Sequence, residues 1–227
     1  MKEVPIIFSA EMIQAILKRH KTETRRIVRP QPVLFEYPNL WLWQAKPWRA
    51  KHRGHRHVCD AQALPDVLVQ EGPYQAGDHL WVRETWGGIF LSSQSGHYLQ
   101  WKNVPKSDRT QERCEYLLYR ATDDDPDYEG CWAPSIHMPR WASRLTLEVL
   151  GVRAERLQDI TCEDIMAEGI RYRMPGTTAQ LYIGDLPQDK SLRTAFVRLW
   201  DSLNKKRGFG YATNPWVRIV EFEVLKS

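Results

Sequence analysis

The residues best suited to chemistry in this chain lie in one short stretch, His20-Lys21-Thr22-Glu23-Thr24-Arg25-Arg26. It places a lysine, two threonine hydroxyls and two arginines within seven residues. An amine acts as a base or, when protonated, binds an anion. A hydroxyl acts as a nucleophile, and a guanidinium binds phosphate or a developing oxyanion. The stretch therefore indicates a site for an anionic or carbonyl-bearing ligand, although a solvated basic turn has the same composition.

Two predicted elements must position this stretch. Ser9 is a suitable N-cap, and the apolar stripe that follows it at helical spacing predicts an amphipathic helix that ends near Arg19–His20. The β-branched residues beyond the basic stretch favour a strand over 24–29, which Pro30 ends. Lys21 is therefore expected in the turn between a helix and a strand.

The rest of the chain is predicted to be mostly strands joined by proline-rich connections. Strands are expected near 40–43, 79–86, 97–101, 116–121, 143–156 and 216–225. Two more helices are expected, one over 161–169 that opens with a capping box and one over 191–204 with an apolar face. This pattern favours a mixed α+β, mainly β fold, a β-barrel with a few short flanking helices and large loop insertions.

Length and cysteine usage narrow the class of protein. The 227 residues suffice for one elaborated domain or two small ones. No run of about 18 apolar residues occurs, and the N-terminus lacks the apolar core of a signal peptide, so we expect no membrane partner. The cysteines form no Cys-x-x-Cys pair, which favours reduced thiols in a cytoplasmic protein; they are Cys59, Cys114, Cys131 and Cys162.

The net charge of +4 is unevenly distributed along the chain. Residues 1–60 carry twelve Lys and Arg against five Asp and Glu, and they contain four of the seven histidines. A local excess of cations suits a phosphate-bearing partner, because cations gain free energy by displacing counterions from a polyanion. Many basic surfaces are nevertheless only solvated.

The segment from Lys46 to His57 is basic and rich in histidine. Its residue types could ligate zinc, through His52, His55, His57 and Cys59. Their spacing, however, matches no common zinc template, and no second ligand pair follows. We therefore expect a basic loop here, with neither a metal nor a cofactor.

Trp81 and Arg83 are candidates for binding a nucleobase and its backbone. Alternation along a strand places Trp81 and Arg83 on one face and Leu80, Val82 and Glu84 on the other. Single-stranded bases are held by stacking on flat side chains, so an aromatic ring beside a cation suits such a ligand. Packing in the core is the other common fate of a tryptophan.

A proline-stiffened segment, 132–141, presents Ser135, His137 and Arg140 between two tryptophans. A stiff loop presents side chains at a low cost in entropy. His137 fits a role as a general acid or base or as a donor to a base, and equally that of a buried, hydrogen-bonded histidine. Ser135 lacks the glycine pattern of a nucleophile elbow, so we do not assign a hydrolase triad.

Four pieces of the chain resemble, in the same order, those of the ASCH family, a branch of the PUA-like β-barrels associated with RNA. They are the helix followed by HKTETRR, the strand GDHLWV, the run from LEVLGV through LQDITCEDIMAEGI, and the closing WVRIVEFEVL. The chain as a whole is also similar to ASCH-type proteins of phages and prophages. The resemblance covers about half of the chain. It implies one domain, 1–227, with insertions at about 30–76, 87–140 and 171–190.

Some small bacterial proteins that this chain resembles are amidohydrolases, which remove the acetyl group from N4-acetylcytidine with a lysine, a threonine and a glutamate. The resemblance places these catalytic roles on Lys21, Thr24 and Glu168. Thr24 would supply a hydroxyl, and Lys21 would be a useful base only if burial and neighbouring cations lower its pKa. A close carboxylate would raise that pKa again, so we expect Glu168 nearer to the water or substrate. Arg25 and Arg26 are the expected ligand-binding cations, with Arg26 donating to an oxyanion or a phosphate.

The chain departs from the family at Arg19, where a glycine usually stands two residues before the motif lysine. A glycine that ends a helix often has positive φ, which another residue adopts at a cost of about 1 kcal/mol. We therefore expect either a different turn at Arg19 or a compensating contact.

Three functions remain open on the sequence. The first is hydrolysis of an acylated cytidine. The second is RNA binding without chemistry, or a ribonuclease, in which Lys21 and Arg26 contact phosphates, Thr24 is only a strand residue and Glu168 pairs with a surface arginine. The third is a phage accessory protein whose insertions bind a protein partner. The expected partner is accordingly a nucleoside or RNA, while protein partners stay undefined.

Overall fold

The computed structural model describes residues 1–35, 40–44, 56–123, 132–171 and 192–226. The strands are β1 (Glu3–Ile7), β2 (Glu23–Ile27), β3 (Val33–Phe35), β4 (Leu40–Gln44), β5 (Arg56–Cys59), β6 (His79–Arg83), β7 (Trp86–Leu91), β8 (Tyr98–Gln100), β9 (Cys114–Tyr119), β10 (Thr146–Arg156) and β11 (Trp216–Lys226). The α-helices are α1 (Ala10–Leu17), α2 (Leu64–Gln70), α3 (Cys162–Ala167) and α4 (Leu192–Asn204). The chain therefore has the predicted mixed α+β organisation, composed mainly of strands.

The largest sheet has five strands in the order β1-β6-β10-β11-β2. β1 runs parallel to β6, and the other neighbours are antiparallel. The edge strands β1 and β2 do not pair with each other, so the sheets are not closed within the described ranges, and the barrel stays a prediction. One side chain spans the two edges: Arg26 on β2 donates a hydrogen bond of 2.8 Å to the carbonyl of Ile7, the last residue of β1.

Helix α1 packs against this sheet as its sequence pattern predicts. The Ser9 side chain accepts a hydrogen bond from the Met12 amide and caps the first turn. Ile13 and Ile16 are fully buried, in a core that also contains Phe222 of β11. This packing fixes where the chain leaves the helix and enters β2.

The turn after α1 has the left-handed conformation at Arg19, where φ is +57°. The amides of Arg19 and His20 donate to the carbonyls of Ile16 and Ala15, each over 2.8 Å. These are the two hydrogen bonds of a Schellman motif, which usually has a glycine at the left-handed position. The turn is therefore of the glycine type despite Arg19, and it directs Lys21 to the start of β2.

Two smaller sheets come from the regions predicted as insertions. β3, β4 and β5 form one sheet, which packs with α2 on a core of Val28, Trp43, Leu64, Leu68 and Trp216. The order β8-β7-β9 forms the other, and its core includes Trp86, Phe90 and Met138. Of the third predicted insertion, at 171–190, all but Arg171 lies outside the described residues.

Helices α3 and α4 share a core beneath the opposite face of β11. Thr161 and Asp164 form the predicted capping box at the start of α3. Gly169, with φ of +93°, follows Glu168 at the end of that helix. Ile165 of α3 and Phe196 of α4 belong to the shared core. Within the described part of the chain, no helix is both long enough and apolar enough to cross a membrane.

Candidate functional site

Lys21 and Glu168 form a buried ion pair at the start of β2. Their backbones make an isolated antiparallel bridge, and the Thr22 amide donates to the Ala167 carbonyl over 2.8 Å. Lys21 Nζ lies 2.5 Å from Glu168 Oε2 and 3.1 Å from the main-chain oxygen of Glu168. The side chain of Lys21 is 0% exposed and that of Glu168 is 9% exposed. The end of α3 thus covers the free edge of β2 and delivers a carboxylate to the lysine.

This contact corrects the expectation that Glu168 lies away from Lys21. An ammonium without access to water needs a close counter-charge, and Glu168 supplies it. Burial lowers the pKa of Lys21 and outweighs the opposite effect of Glu168. Burial alone would raise the pKa of Glu168, but Lys21 and Arg25 hold it below its ordinary value. The carboxylate is therefore ionised at neutral pH, and the amine loses its proton more readily than an exposed lysine does.

Arg25 holds the second carboxylate oxygen of Glu168. Its amide and its Nη1 donate to Glu168 Oε1 over 2.7 Å and 3.3 Å. The same guanidinium forms ion pairs with Glu23, Glu155 and Asp164. The Arg25 side chain is 1% exposed. This placement corrects the expectation that Arg25 contacts the ligand, because its amide and both terminal nitrogens of its guanidinium face carboxylates of the protein.

Arg153 of β10 extends this ionic cluster. Its carboxylate partners are Glu23, Glu155, Asp164 and Glu221. The cluster ties β2, β10 and β11 to α3, and the sequence reasoning missed it. Alternation along β10 does place Arg153 and Glu155 on one face, but it cannot say which strand or helix supplies their partners.

Thr24 lies on the face of β2 opposite to Arg25 and is 3% exposed. In the described ranges its hydroxyl makes no hydrogen bond, to Lys21 or to any other residue. The structure therefore brings together two of the three predicted catalytic side chains, Lys21 and Glu168. The third, Thr24, lies on β2 and has no hydrogen-bond partner among the described residues.

Arg26 shares the face of Thr24 and packs on Phe8. Its Cζ lies 5.1 Å from the centre of the Phe8 ring, and Lys21 Nζ lies 5.9 Å from the same ring. Burial lowers the pKa of Arg26, against the opposite effects of Tyr74 and Glu168. Lys21 and Arg26 therefore stand against one aromatic ring in the gap between the two sheet edges.

A small cavity of about 160 Å³ opens beside Lys21. Its lining consists of Arg19, Lys21, Thr22, Phe222, Glu223 and Val224. Pockets that enclose a small-molecule ligand usually measure roughly 300–1,000 Å³. The cavity is therefore smaller than a pocket that encloses a whole small-molecule ligand.

Trp81 and Arg83 lie side by side on β6, as strand alternation predicts. Arg83 Cζ is 4.5 Å and Arg140 Cζ is 5.9 Å from the Trp81 ring. Arg140 also makes two hydrogen bonds of 3.0 Å to Glu3. Because the ring is only 8% exposed beneath these arginines, Trp81 is not open for base stacking, which corrects that expectation. Arg83 makes no ion pair with any described residue, whereas Arg140 is neutralised by Glu3.

Ser135 and His137 lie in a single 3-10 turn after Pro134. His137 is exposed and Ser135 is half-buried, so the alternative of a buried histidine is wrong. Arg83 Nη1 donates to the carbonyl of Ile136 over 3.4 Å, which joins this turn to the end of β6. These residues form a surface of their own, and no contact in the described ranges links them to Lys21 or Glu168.

The predicted basic segment is described only at its end. His57 lies 3.5 Å from Glu71 and stacks on Trp43, while His52 and His55 lie outside the described residues. Among the described residues, no group of three His, Cys, Asp or Glu side chains is placed to hold a metal. The described cysteines are free thiols, namely Cys59, Cys114 and Cys162.

Comparisons of the chain with protein-family models, with curated proteins and with solved structures found no match.

Proposed function

We propose that this protein is an ASCH-type amidohydrolase with a PUA-like fold, which removes the acyl group from the exocyclic amine of an N4-acylated cytosine. The observation that carries the proposal is the buried pair of Lys21 and Glu168, with Nζ and Oε2 2.5 Å apart. The proposed catalytic side chains are Lys21, Thr24 and Glu168.

Burial of Lys21 favours chemistry over phosphate binding. An ammonium that binds RNA phosphates works by charge alone and gains nothing from being inaccessible. A lysine that acts as a base needs a lowered pKa, which burial provides here. A fixed carboxylate beside it stabilises the ammonium that forms when the base accepts a proton, as the acid of a catalytic triad does.

The proposed reaction has two balanced halves. In the first, neutral Lys21 takes the hydroxyl proton of Thr24 while Thr24 Oγ1 attacks the acyl carbonyl. Glu168 stabilises the resulting ammonium, and Lys21 then gives the proton to the departing cytosine amine. In the second half, Lys21 takes a proton from water, the hydroxide attacks the acyl-threonine, and the proton returns to Thr24 as the carboxylic acid leaves.

A direct assay tests this proposal. The purified protein is incubated with N4-acetylcytidine, and the release of cytidine is followed by chromatography. We expect Thr24→Val to lower the rate by at least about 10³-fold, because the nucleophile is removed. Thr24→Ser keeps the hydroxyl and is expected to retain measurable activity. Absence of release by folded wild-type protein at high concentration, from both N4-acetylcytidine and its 5′-monophosphate, would overturn the hydrolase.

Nucleic-acid binding without chemistry is the second candidate, and a separate observation favours it. Arg83 has no carboxylate partner among the described residues, and it stands beside the exposed His137. A cation available in this way suits a phosphate backbone. This candidate predicts RNA binding that weakens steeply with salt and that Arg83→Gln reduces, while Thr24→Val has no effect.

A further inference from the structure

Arg26 and Arg218 face each other across the pairing of β2 with β11. They are direct partners in the register, so their side chains leave the same face of the sheet. Arg218 is 8% exposed. Two arginines are therefore opposed, with a like charge on each, on a face that is otherwise largely apolar.

Within the described part of the chain, neither guanidinium forms an ion pair, because no carboxylate oxygen lies within 4.0 Å of a nitrogen of Arg26 or Arg218. The acceptors present are carbonyls: Ile7 for Arg26, over 2.8 Å, and Leu68 for Arg218, over 2.5 Å. A guanidinium carries five N–H donors, so most donors of this pair have no acceptor among the described residues. The Nε of Arg26 is itself buried without a partner.

This arrangement costs free energy in the absence of a ligand. Like charges directly opposite each other in a sheet repel, and burial of an unpaired cation adds a loss of hydration. Burial lowers the pKa of Arg218 to about 10, against the raising effects of Tyr74 and Glu71. Tyr74 acts in the same direction on Arg26, so one hydroxyl is an electrostatic neighbour of both arginines. The two arginines therefore share this electrostatic neighbour in addition to their pairing in the register.

The surroundings hold the two arginines with their donor edges available. The Phe8 ring lies against Arg26 at 5.1 Å, and the Trp43 ring lies against Arg218 at 5.6 Å. Rings on the flat faces leave the in-plane N–H groups for a ligand. Gly72 gives Arg218 room, because a Cβ at that position would lie 2.9 Å from Arg218 Nε.

We propose that Arg26 and Arg218 bind the phosphate group of a ligand on the face of the sheet where β2 pairs with β11. Planar guanidiniums match the oxygens of a phosphate through paired hydrogen bonds, and a phosphate neutralises both like charges at once. Arg26 shares the Phe8 ring with Lys21, so the bound phosphate lies near the candidate catalytic pair. This inference rests on the proposed function. A phosphate site beside the candidate catalytic pair makes the substrate an acylated cytidine nucleotide, or an acylated cytidine within RNA, rather than a free nucleoside.

Thermal unfolding with inorganic phosphate tests the site without any catalysis. Wild-type protein is compared in sodium phosphate and in sodium chloride of equal ionic strength. A ligand at about 100-fold its Kd is expected to raise the Tm by about 5 °C. Arg218→Gln and Arg26→Gln should each abolish this rise. The matched control is Arg207→Gln, which removes one exposed arginine that lies outside both strands, and this variant should keep the rise.

The outcomes are distinct. Equal Tm values for the wild type in phosphate and chloride would overturn the site, and so would an equal loss of the response in Arg207→Gln. To identify which kind of ligand carries the phosphate, cytidine, cytidine 5′-monophosphate and a short oligocytidylate are compared in the same assay. A larger rise with the monophosphate identifies a nucleotide, and one with the oligonucleotide alone identifies RNA. If phosphate raises the Tm but the protein releases no cytidine, the phosphate site is supported and the proposed hydrolase activity is overturned.

Discussion

Arg25 and Arg26 are neighbours on one strand, yet they experience opposite electrostatic environments. Arg25 meets four carboxylates, Glu23, Glu155, Asp164 and Glu168. Arg26, on the other face of β2, meets one carbonyl oxygen and an aromatic ring. The Arg25 side chain is 1% exposed, and Arg26 is half-buried. The difference teaches that a cation whose carboxylate partners belong to the protein supports the site, whereas a half-buried cation without such partners is a candidate for binding a ligand.

The face of Arg25 carries an excess of carboxylates. Burial raises the pKa of Glu23 above its ordinary value, although Arg153 and Arg25 act to lower it. The face of Arg26 and Arg218 carries an excess of cations. β2 therefore separates a negatively charged cluster from a positively charged one, and the candidate catalytic pair lies at the start of this strand.

The largest effect on stability is expected from Glu168→Gln. This change leaves Lys21 buried without its counter-charge and removes one of the partners of Arg25, so we expect a loss of about 3–5 kcal/mol in the free energy of unfolding. Urea denaturation at pH 7 measures it. Glu163→Gln is the matched control, because Glu163 lies on the same helix and is exposed, and its unfolding curve should overlay that of the wild type. Equal, small effects of both changes on the free energy of unfolding would show that the ion pair of Lys21 and Glu168 does not stabilise the fold.

The two neighbouring arginines give the most direct test of the comparison. Arg25→Gln is expected to cost about 3 kcal/mol, because it leaves buried carboxylates without a cation. Arg26→Gln is expected to cost less than about 1 kcal/mol, because it removes one hydrogen bond and relieves repulsion from Arg218. Both are measured by urea denaturation in phosphate-free buffer. Similar losses for the two variants would contradict the electrostatic difference between the faces of β2.

Acid should weaken the Arg25 side selectively. The pKa of Glu168 in the folded protein is lowered from 4.5, so its ionic contribution to stability is present above pH 4.5 and is lost as the pH falls through the folded-state value. The stability difference between wild type and Glu168→Gln should therefore be constant near neutrality and shrink below pH 4.5. Urea denaturation at a series of pH values checks this. If the difference in unfolding free energy between wild type and Glu168→Gln grows on acidification, the pKa of Glu168 is raised in the folded protein rather than lowered.

The smallest effect is expected at the turn that leads into β2. Arg19→Gly relieves the cost of a positive φ and should stabilise the protein by about 1 kcal/mol or less, a rise in Tm of about 2–4 °C. Lys18→Gly is the control one residue earlier, where φ is −82° and glycine only adds freedom to the unfolded chain. A lower Tm for Arg19→Gly would mean that Arg19 makes a contact worth more than the strain.

Local patterns in the sequence predicted the elements around the site well. Ser9 and the apolar stripe located α1, the capping residues Thr161 and Asp164 located α3, and alternation located β10 and β11. These features depend on contacts between near neighbours in sequence. Helix α2 is not predicted, because Pro65 is typical of the proline-rich connections expected between the strands, although a proline is also well suited to the first turn of a helix.

Partners across the fold were beyond such patterns. The family resemblance identifies three site residues, Lys21, Thr24 and Glu168. It does not give their arrangement, and Glu168 was expected away from Lys21 because a close carboxylate raises the pKa of a lysine. No local pattern distinguishes Arg218, because it lies within a strand whose neighbouring residues are mostly buried. Its importance depends on facing Arg26 in the register, and register is a property of the assembled sheet.

The bridge between Lys21 and Glu168 also has a consequence for the order of folding. The two residues are 147 positions apart in the chain, so the entropy of closing a very long loop must be met before their contact contributes any stability. The pairing of β10 with β11 joins residues 60 to 80 positions apart and can form earlier, whereas paired residues of β2 and β11 are 190 to 198 positions apart. We therefore expect the ion pair to be absent from the folding transition state, so that Glu168→Gln accelerates unfolding while leaving the folding rate nearly unchanged. The candidate site would then be among the last parts of the molecule to assemble and the first to open.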